Sequence, residues 1–162
     1  MVKKNKNTVL KVGLFLLLFF GLNYIYQENS LQAKENQIDY SKVTLYKSDI
    51  NAIEAYKMQQ KGILLIDIRT QKEYNEMHPK GAINIPAFND TFRGRVYNQD
   101  FLNLVYTQVN KNQELEIMLI CHTGSRTKVA SNILAQYGFK NVYNILGGVA
   151  YGWYAQKLPT QK

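Results

Sequence analysis

With 162 residues, 46% of them hydrophobic and 20% charged, the chain has material for one core and an appendage, since domains cluster at roughly 100–150 residues. A single cysteine excludes an intramolecular disulfide, and the two histidines beside it form no cluster of zinc-site spacing, so no metal is expected. The formal charge of +8 divides into four lysines against one glutamate in residues 1–33 and sixteen basic against eleven acidic residues beyond, with no basic block or basic-aromatic stripe; nucleic acid is not an expected partner, while a mild positive field favours small anions.

Residues 1–33 read as a basic tip followed by an export signal or membrane anchor. Val12 to Leu22 is an unbroken run of Val, Gly, Leu and Phe behind Lys3, Lys4, Lys6 and Lys11, and positive charge ahead of an apolar run keeps the N-terminus in the cytoplasm. Leu31-Gln32-Ala33 offers Leu where cleavage wants a small residue. The stretch 9–26, 18 residues interrupted by Lys11 and Asn23, lies near the lower limit of about 17 residues for a helix that spans a bilayer. The reading favours an uncleaved anchor, with the membrane as a partner and the following domain facing the periplasm or exterior of a bacterium. Residues 34–44 read as a linker, 45–158 as the domain and 159–162 as a tail.

Within the domain, Ser48 is placed as an N-cap for a helix carrying Ile50, Ile53, Ala55 and Met58 and closed by Gly62. Ile63 to Ile66 is a fully buried strand, an apolar run of the kind found in parallel sheets covered on both faces. At its end stand Asp67 and Arg69, expected to pair with each other or with Glu73 and so hold the turn. Thr70 to Glu73 spells a capping box. His78 is expected to fix the next turn by a hydrogen bond, and Ile83 to Ile85 is a short strand stopped by Pro86. Residues 89–98 form a polar loop with Arg93 and Arg95, bordering a pocket. A helix from Asp100 as cap carries Phe101, Leu102, Leu104, Val105 and Val109. Then come the strand Ile117 to Ile120, a helix lined by Val129, Ala130, Ile133, Leu134 and Tyr137 with Gly138 beyond its end, a strand Asn141 to Leu146, a Gly147-Gly148 turn, and a short helix to a core Trp153. Strands alternating with helices predict a three-layer α/β/α domain with a central, mostly parallel sheet.

Between the strand Ile117 to Ile120 and its helix lies Cys121-His122-Thr123-Gly124-Ser125-Arg126. A strand entering a tight turn and a helix converges backbone N–H groups on one point, with the positive end of the helix dipole behind them. A catalytic cysteine needs such an electropositive, partly open setting to react as thiolate. Lys128 reads as a solvated first-turn lysine.

Three stretches together resemble the rhodanese family of sulfurtransferases: Leu65 to Arg69 with Glu73-Tyr74 and His78; Gly81 to Pro86; and Cys121 to Arg126 with Leu146-Gly147-Gly148 and Trp153 behind. Met77-His78-Pro79-Lys80-Gly81-Ala82 departs from the family's usual Gly-His-Ile-Pro-Gly-Ala. The resemblance implies a single-domain rhodanese fold and sulfur transfer by double displacement, with a covalent persulfide on Cys121 and no bound cofactor. Its partners are a small anionic sulfur donor, such as thiosulfate, and a thiol or cyanide acceptor. In that reading amides of His122, Thr123, Gly124, Ser125 and Arg126 hold the anionic sulfur, and Arg126 adds a cation for the donor's sulfonate. The alternatives are a Cys-dependent phosphatase or arsenate reductase, whose loops run one residue longer than the six positions here, and a non-catalytic persulfide- or anion-binding module.

Overall fold

The computed structural model describes Asp39, Tyr40 and residues 42–162. The signal or anchor and most of the expected linker lie outside these residues; among the described residues no helix is long and apolar enough to cross a membrane.

The framework is a five-stranded sheet of β1 (Ser48–Ile50), β2 (Leu64–Asp67), β4 (Ile83–Asn84), β7 (Ile117–Ile120) and β8 (Val142–Ile145), in the order β1-β8-β7-β2-β4. Every pairing in it is parallel. The central strand β7 is buried along its whole length. Because successive side chains in a strand point to opposite faces, Ile117, Leu119 and Cys121 join one core with Phe101, Val105, Ala130 and Leu134. Met118 and Ile120 join the other, with Ala52, Ala55, Tyr143 and Trp153. Each fully buried Ile or Leu contributes about 1.5–3 kcal/mol, which explains why an apolar run without alternation occupies the middle of a two-faced sheet. The helices are α1 (Ala52–Gln60), α2 (Gln71–Glu76), α3 (Phe101–Gln108) and α4 (Ser125–Gln136), followed by a π-helical turn, Gly148–Tyr154.

Several expectations are corrected. Ser48 does not cap a helix; it begins edge strand β1, and the cap is Asn51, whose side chain accepts from Glu54 N at 2.9 Å. The β-branched Ile50 is drawn into the sheet by pairing with Ile145. Residues 89–98 are not an irregular loop but largely an antiparallel hairpin, β5 (Phe88–Thr91) and β6 (Gly94–Tyr97), with Gly94 at φ 104°. Asp100 stands at the start of α3 without a side-chain cap bond. Nor is the C-terminus a tail: β9 (Thr160–Gln161) pairs with β3 (His78–Pro79), and Pro159 O accepts from Trp153 Nε1 at 2.9 Å. At the other end, the last linker residues are strapped down by Asn132 of α4. Its Nδ2 donates to Tyr40 O and Val43 O at 2.6 and 2.8 Å, and its Oδ1 accepts from Leu45 N at 2.6 Å.

Candidate functional site around Cys121

Cys121 leaves the carboxyl end of β7, where an open parallel sheet presents its ligand crevice. The chain turns back through Gly124, at φ 98°, and enters α4 at Ser125. Gly124 N donates to Cys121 Sγ at 3.2 Å, and Thr127 Oγ1 lies 3.6 Å from the same sulfur. No side chain caps α4, so the unpaired N–H groups of its first turn and the positive end of its dipole face the loop. His122, Thr123 and Ser125 are exposed around the mouth.

The loop rests on a second turn. Val149 N donates to Cys121 O at 2.8 Å and Ala150 N to His122 O at 3.0 Å. A Cβ at Gly148 would sit 2.4 Å from Cys121 O and 2.6 Å from His122 C, closer than real Cβ contacts come. The expected close approach at Gly147-Gly148 is therefore a main-chain contact with the Cys121 loop itself. One expectation fails: the sulfur is not partly open, since Cys121 is wholly buried at the base of the loop.

The remaining site candidates fall into two groups. Asp67 and Arg69 form a buried pair, with Arg69 Nη2 to Asp67 Oδ2 at 2.7 Å and Nε to both carboxylate oxygens at 3.0 Å. Arg69 Nη2 also donates to Met77 O at 2.6 Å. Asn84 Nδ2 ties both residues' carbonyls at 2.8 and 2.9 Å. This is the turn-holding role expected of the pair. His78 stacks on Tyr74 with ring centroids 3.6 Å apart, and its Nδ1 lies 2.8 Å from Tyr74 O and its Nε2 3.0 Å from Gln161 Nε2. The carbonyl takes the Nδ1 proton and Nε2 accepts from Gln161, so the ring clamps β3 to β9.

Glu73 belongs to the second group, with the loop. Its carboxylate takes Arg126 in a two-point fork, Nη1 to Oε2 and Nη2 to Oε1, both at 2.7 Å. Oε2 also closes the capping box by accepting from Thr70 N at 3.2 Å, and Arg95 of the hairpin comes within 3.9 Å of it. Burial alone would push the Glu73 carboxyl up, but the Arg126 hydrogen bonds and charge, the Thr70 amide and Arg95 outweigh it and hold its pKa at about 2. The pairing with Glu73 in turn raises Arg126. Arg126 thus presents its fork to Glu73 rather than to the mouth of the loop. Thr127 and Asn132 were not singled out by the sequence; Thr127 follows Arg126 in the first turn of α4, where a hydroxyl reaches back to the turn before it. Among the described residues no three His, Cys, Asp or Glu side chains converge on a metal position.

Residues 51–156 match the family model of the Rhodanese-like domain. The protein belongs to the rhodanese-like family. Thiosulfate sulfurtransferase 16, chloroplastic, of Arabidopsis thaliana is 32% identical over 114 residues, 70% of this chain and 92% of that protein. A senescence-associated protein of Raphanus sativus is 34% identical over 108 residues, and the match spans only 57% of its length. Among solved structures, one from M. tuberculosis has a TM-score of 0.58 at 22% identity, covering 72% of this chain and all but 2% of its own. A polysulfide-sulfur transferase homodimer from Wolinella succinogenes has a TM-score of 0.54 at 25% identity, covering 70% and 77%. The rhodanese-like sheet with its parallel centre is the fold these two solved structures share with the chain.

Proposed function

We propose that this rhodanese-like chain is a sulfurtransferase that carries a sulfane sulfur as a Cys121 persulfide. The observation that carries the proposal is the position of Sγ: buried at the base of a six-position loop and already accepting the Gly124 amide. Such a sulfur is reachable by the thin terminal atom of thiosulfate or a polysulfide and poorly by a tetrahedral phosphate, which needs a wider ring of amides. The names of the Arabidopsis and Wolinella relatives, a thiosulfate and a polysulfide-sulfur transferase, point the same way.

The chemistry balances in two displacements. Cys121 thiolate attacks the outer sulfur of thiosulfate; a new S–S bond forms, the donor's S–S bond breaks, and sulfite leaves with the electron pair. The negative charge now rests on the outer persulfide sulfur, about 2 Å beyond Sγ, where the loop amides from His122 to Arg126 stabilise it. An acceptor thiolate then attacks that outer sulfur, Cys121 departs as thiolate, and the acceptor carries the sulfur away. The added atom lifts the reacting centre toward the mouth, so a buried cysteine need not meet the acceptor itself. Arg126, neutralised by Glu73, acts in this scheme by fixing the loop to α2, and the donor's charge is met by amides and the helix dipole. A domain on the outer side of a membrane would draw its thiol acceptor there.

Intact mass measured after thiosulfate treatment tests the proposal: wild type gains one sulfur atom and Cys121→Ser gains none. No added sulfur on wild type, with turnover of an aryl phosphate, would overturn it in favour of a phosphatase; neither reaction would favour a binding module.

A further inference from the structure

Thr127 is wholly buried, and its single hydroxyl proton has two acceptors. Oγ1 donates to Gly124 O at 2.8 Å and lies 3.6 Å from Cys121 Sγ, and the sulfur's other neighbour is the Gly124 N–H at 3.2 Å. While the thiol is protonated, its S–H points to Oγ1, the hydroxyl proton goes to Gly124 O, and every group is satisfied. When Sγ is an anion, lone pairs facing it repel it. The hydroxyl then gains more by turning its proton to the sulfur, because a hydrogen bond to a charged atom is roughly twice as strong as a neutral one.

We infer that Thr127 is a catalytic residue whose hydroxyl turns toward Sγ in each step in which that sulfur carries the charge. The inference rests on the sulfur-transfer reading for its consequences. During attack on the donor the hydroxyl and the Gly124 amide hold the nucleophile. Once the persulfide forms, Sγ is a neutral disulfide-like sulfur, the charge lies on the outer atom, and the hydroxyl returns to Gly124 O. When the acceptor takes the outer sulfur, the electron pair of the broken S–S bond goes to Sγ and the hydroxyl swings back to receive it. Thr127 therefore serves the bare thiolate and the loop amides serve the persulfide. Removing the hydroxyl favours the persulfide over the free cysteine, an outcome that simple loosening of the loop does not produce.

The test uses the full chain with Thr127→Val, Thr127→Ala and Thr127→Ser, whose cooperative melting verifies folding. Two hydroxyl-free variants are included so that one misfolded protein leaves the other informative. Iodoacetamide at neutral pH, a reagent independent of any sulfur transfer, alkylates the reduced Val and Ala variants about tenfold more slowly than wild type, the worth of one hydrogen bond to a charged group. The Ser variant returns to within about threefold. After loading with thiosulfate and equilibration with a fixed ratio of reduced glutathione to glutathione persulfide, intact mass shows a persulfide-to-thiol ratio about tenfold higher in the hydroxyl-free variants. Wild-type alkylation rates in those variants, or a Ser variant as slow as the Val variant, would overturn the inference. If wild type takes up no sulfur while the alkylation pattern holds, the sulfur-transfer reading falls and Thr127's hold on the thiolate stands.

Discussion

Glu73→Gln removes one charge and one arm of the fork, because the amide nitrogen that replaces a carboxylate oxygen cannot accept from Arg126. Glutamine keeps the length of the side chain and suits the same capping-box position, so α2 retains its start while Arg126, whose side chain is 13% exposed, loses its charged partner. The carboxyl's drop from its ordinary 4.5 to about 2 in the folded protein, at about 1.36 kcal/mol per factor of ten, corresponds to about 3 kcal/mol of stability at neutral pH. The sign follows from the depressed value: the contribution is present in full above the unfolded-state pKa and is lost as pH falls through the folded one, between roughly pH 5 and pH 2. Less than half should remain at about pH 3. Urea unfolding of both proteins at several pH values measures this directly, the variant being about 3 kcal/mol less stable at pH 7, or about 10 °C lower in melting temperature, with the gap shrinking as the buffer is acidified. A gap of the same size at pH 7 and pH 3, or no gap at pH 7, would refute the assignment of the shift to the Glu73–Arg126 fork.

Other substitutions probe the supports of the loop. Gly148→Ala places a Cβ against Cys121 O and His122 C; sulfur uptake should fall more than tenfold, the loss expected from displacing a reacting group by about 1 Å. Gly94→Ala, also at positive φ but facing open space, should cost about 1 kcal/mol of backbone strain and leave uptake intact. Asn132→Ala breaks three hydrogen bonds to the strapped segment and should destabilise the domain by about 2–4 kcal/mol, with faster amide exchange at Leu45; unchanged exchange there would show that the strap does not hold the segment.

Buried strands were legible because their residues satisfy one strong requirement. Leu64 to Ile66 and Ile117 to Ile120 are apolar on both faces, and a covered sheet accommodates that, although the first strand begins at Leu64 rather than Ile63 and Leu64 is only half-buried. The capping box at Thr70 and the glycine at 138 were legible because each depends on a few adjacent atoms. Ser48 misled because an N-cap residue is a local signal, whereas the three-residue β1 exists only through its pairing with β8. The same applies to β9, whose Thr160 and Gln161 carry no local signal and owe their shape to β3. In the site, Cys121 and its turn could be read from one stretch. The fork between Glu73 and Arg126 joins residues 53 positions apart, and no spacing rule announces it, so the sequence leaves Arg126 free for a ligand. Thr127 was hidden for another reason: a hydroxyl in the first turn of a helix is ordinary until the atom beside it turns out to be the Cys121 sulfur.

The glycine turn beneath the Cys121 loop also limits how the chain can drift. Gly124 and Gly147 face each other closely enough that a Cβ on Gly124 would lie 3.3 Å from Gly147 N, and Gly148 abuts the carbonyl of Cys121. Adding a residue to the loop would push its main chain into a neighbour with no side chain left to trim. Loop length is thus set jointly by two segments more than twenty positions apart, and any variant with a larger anion cradle would need compensating changes in both before either became useful.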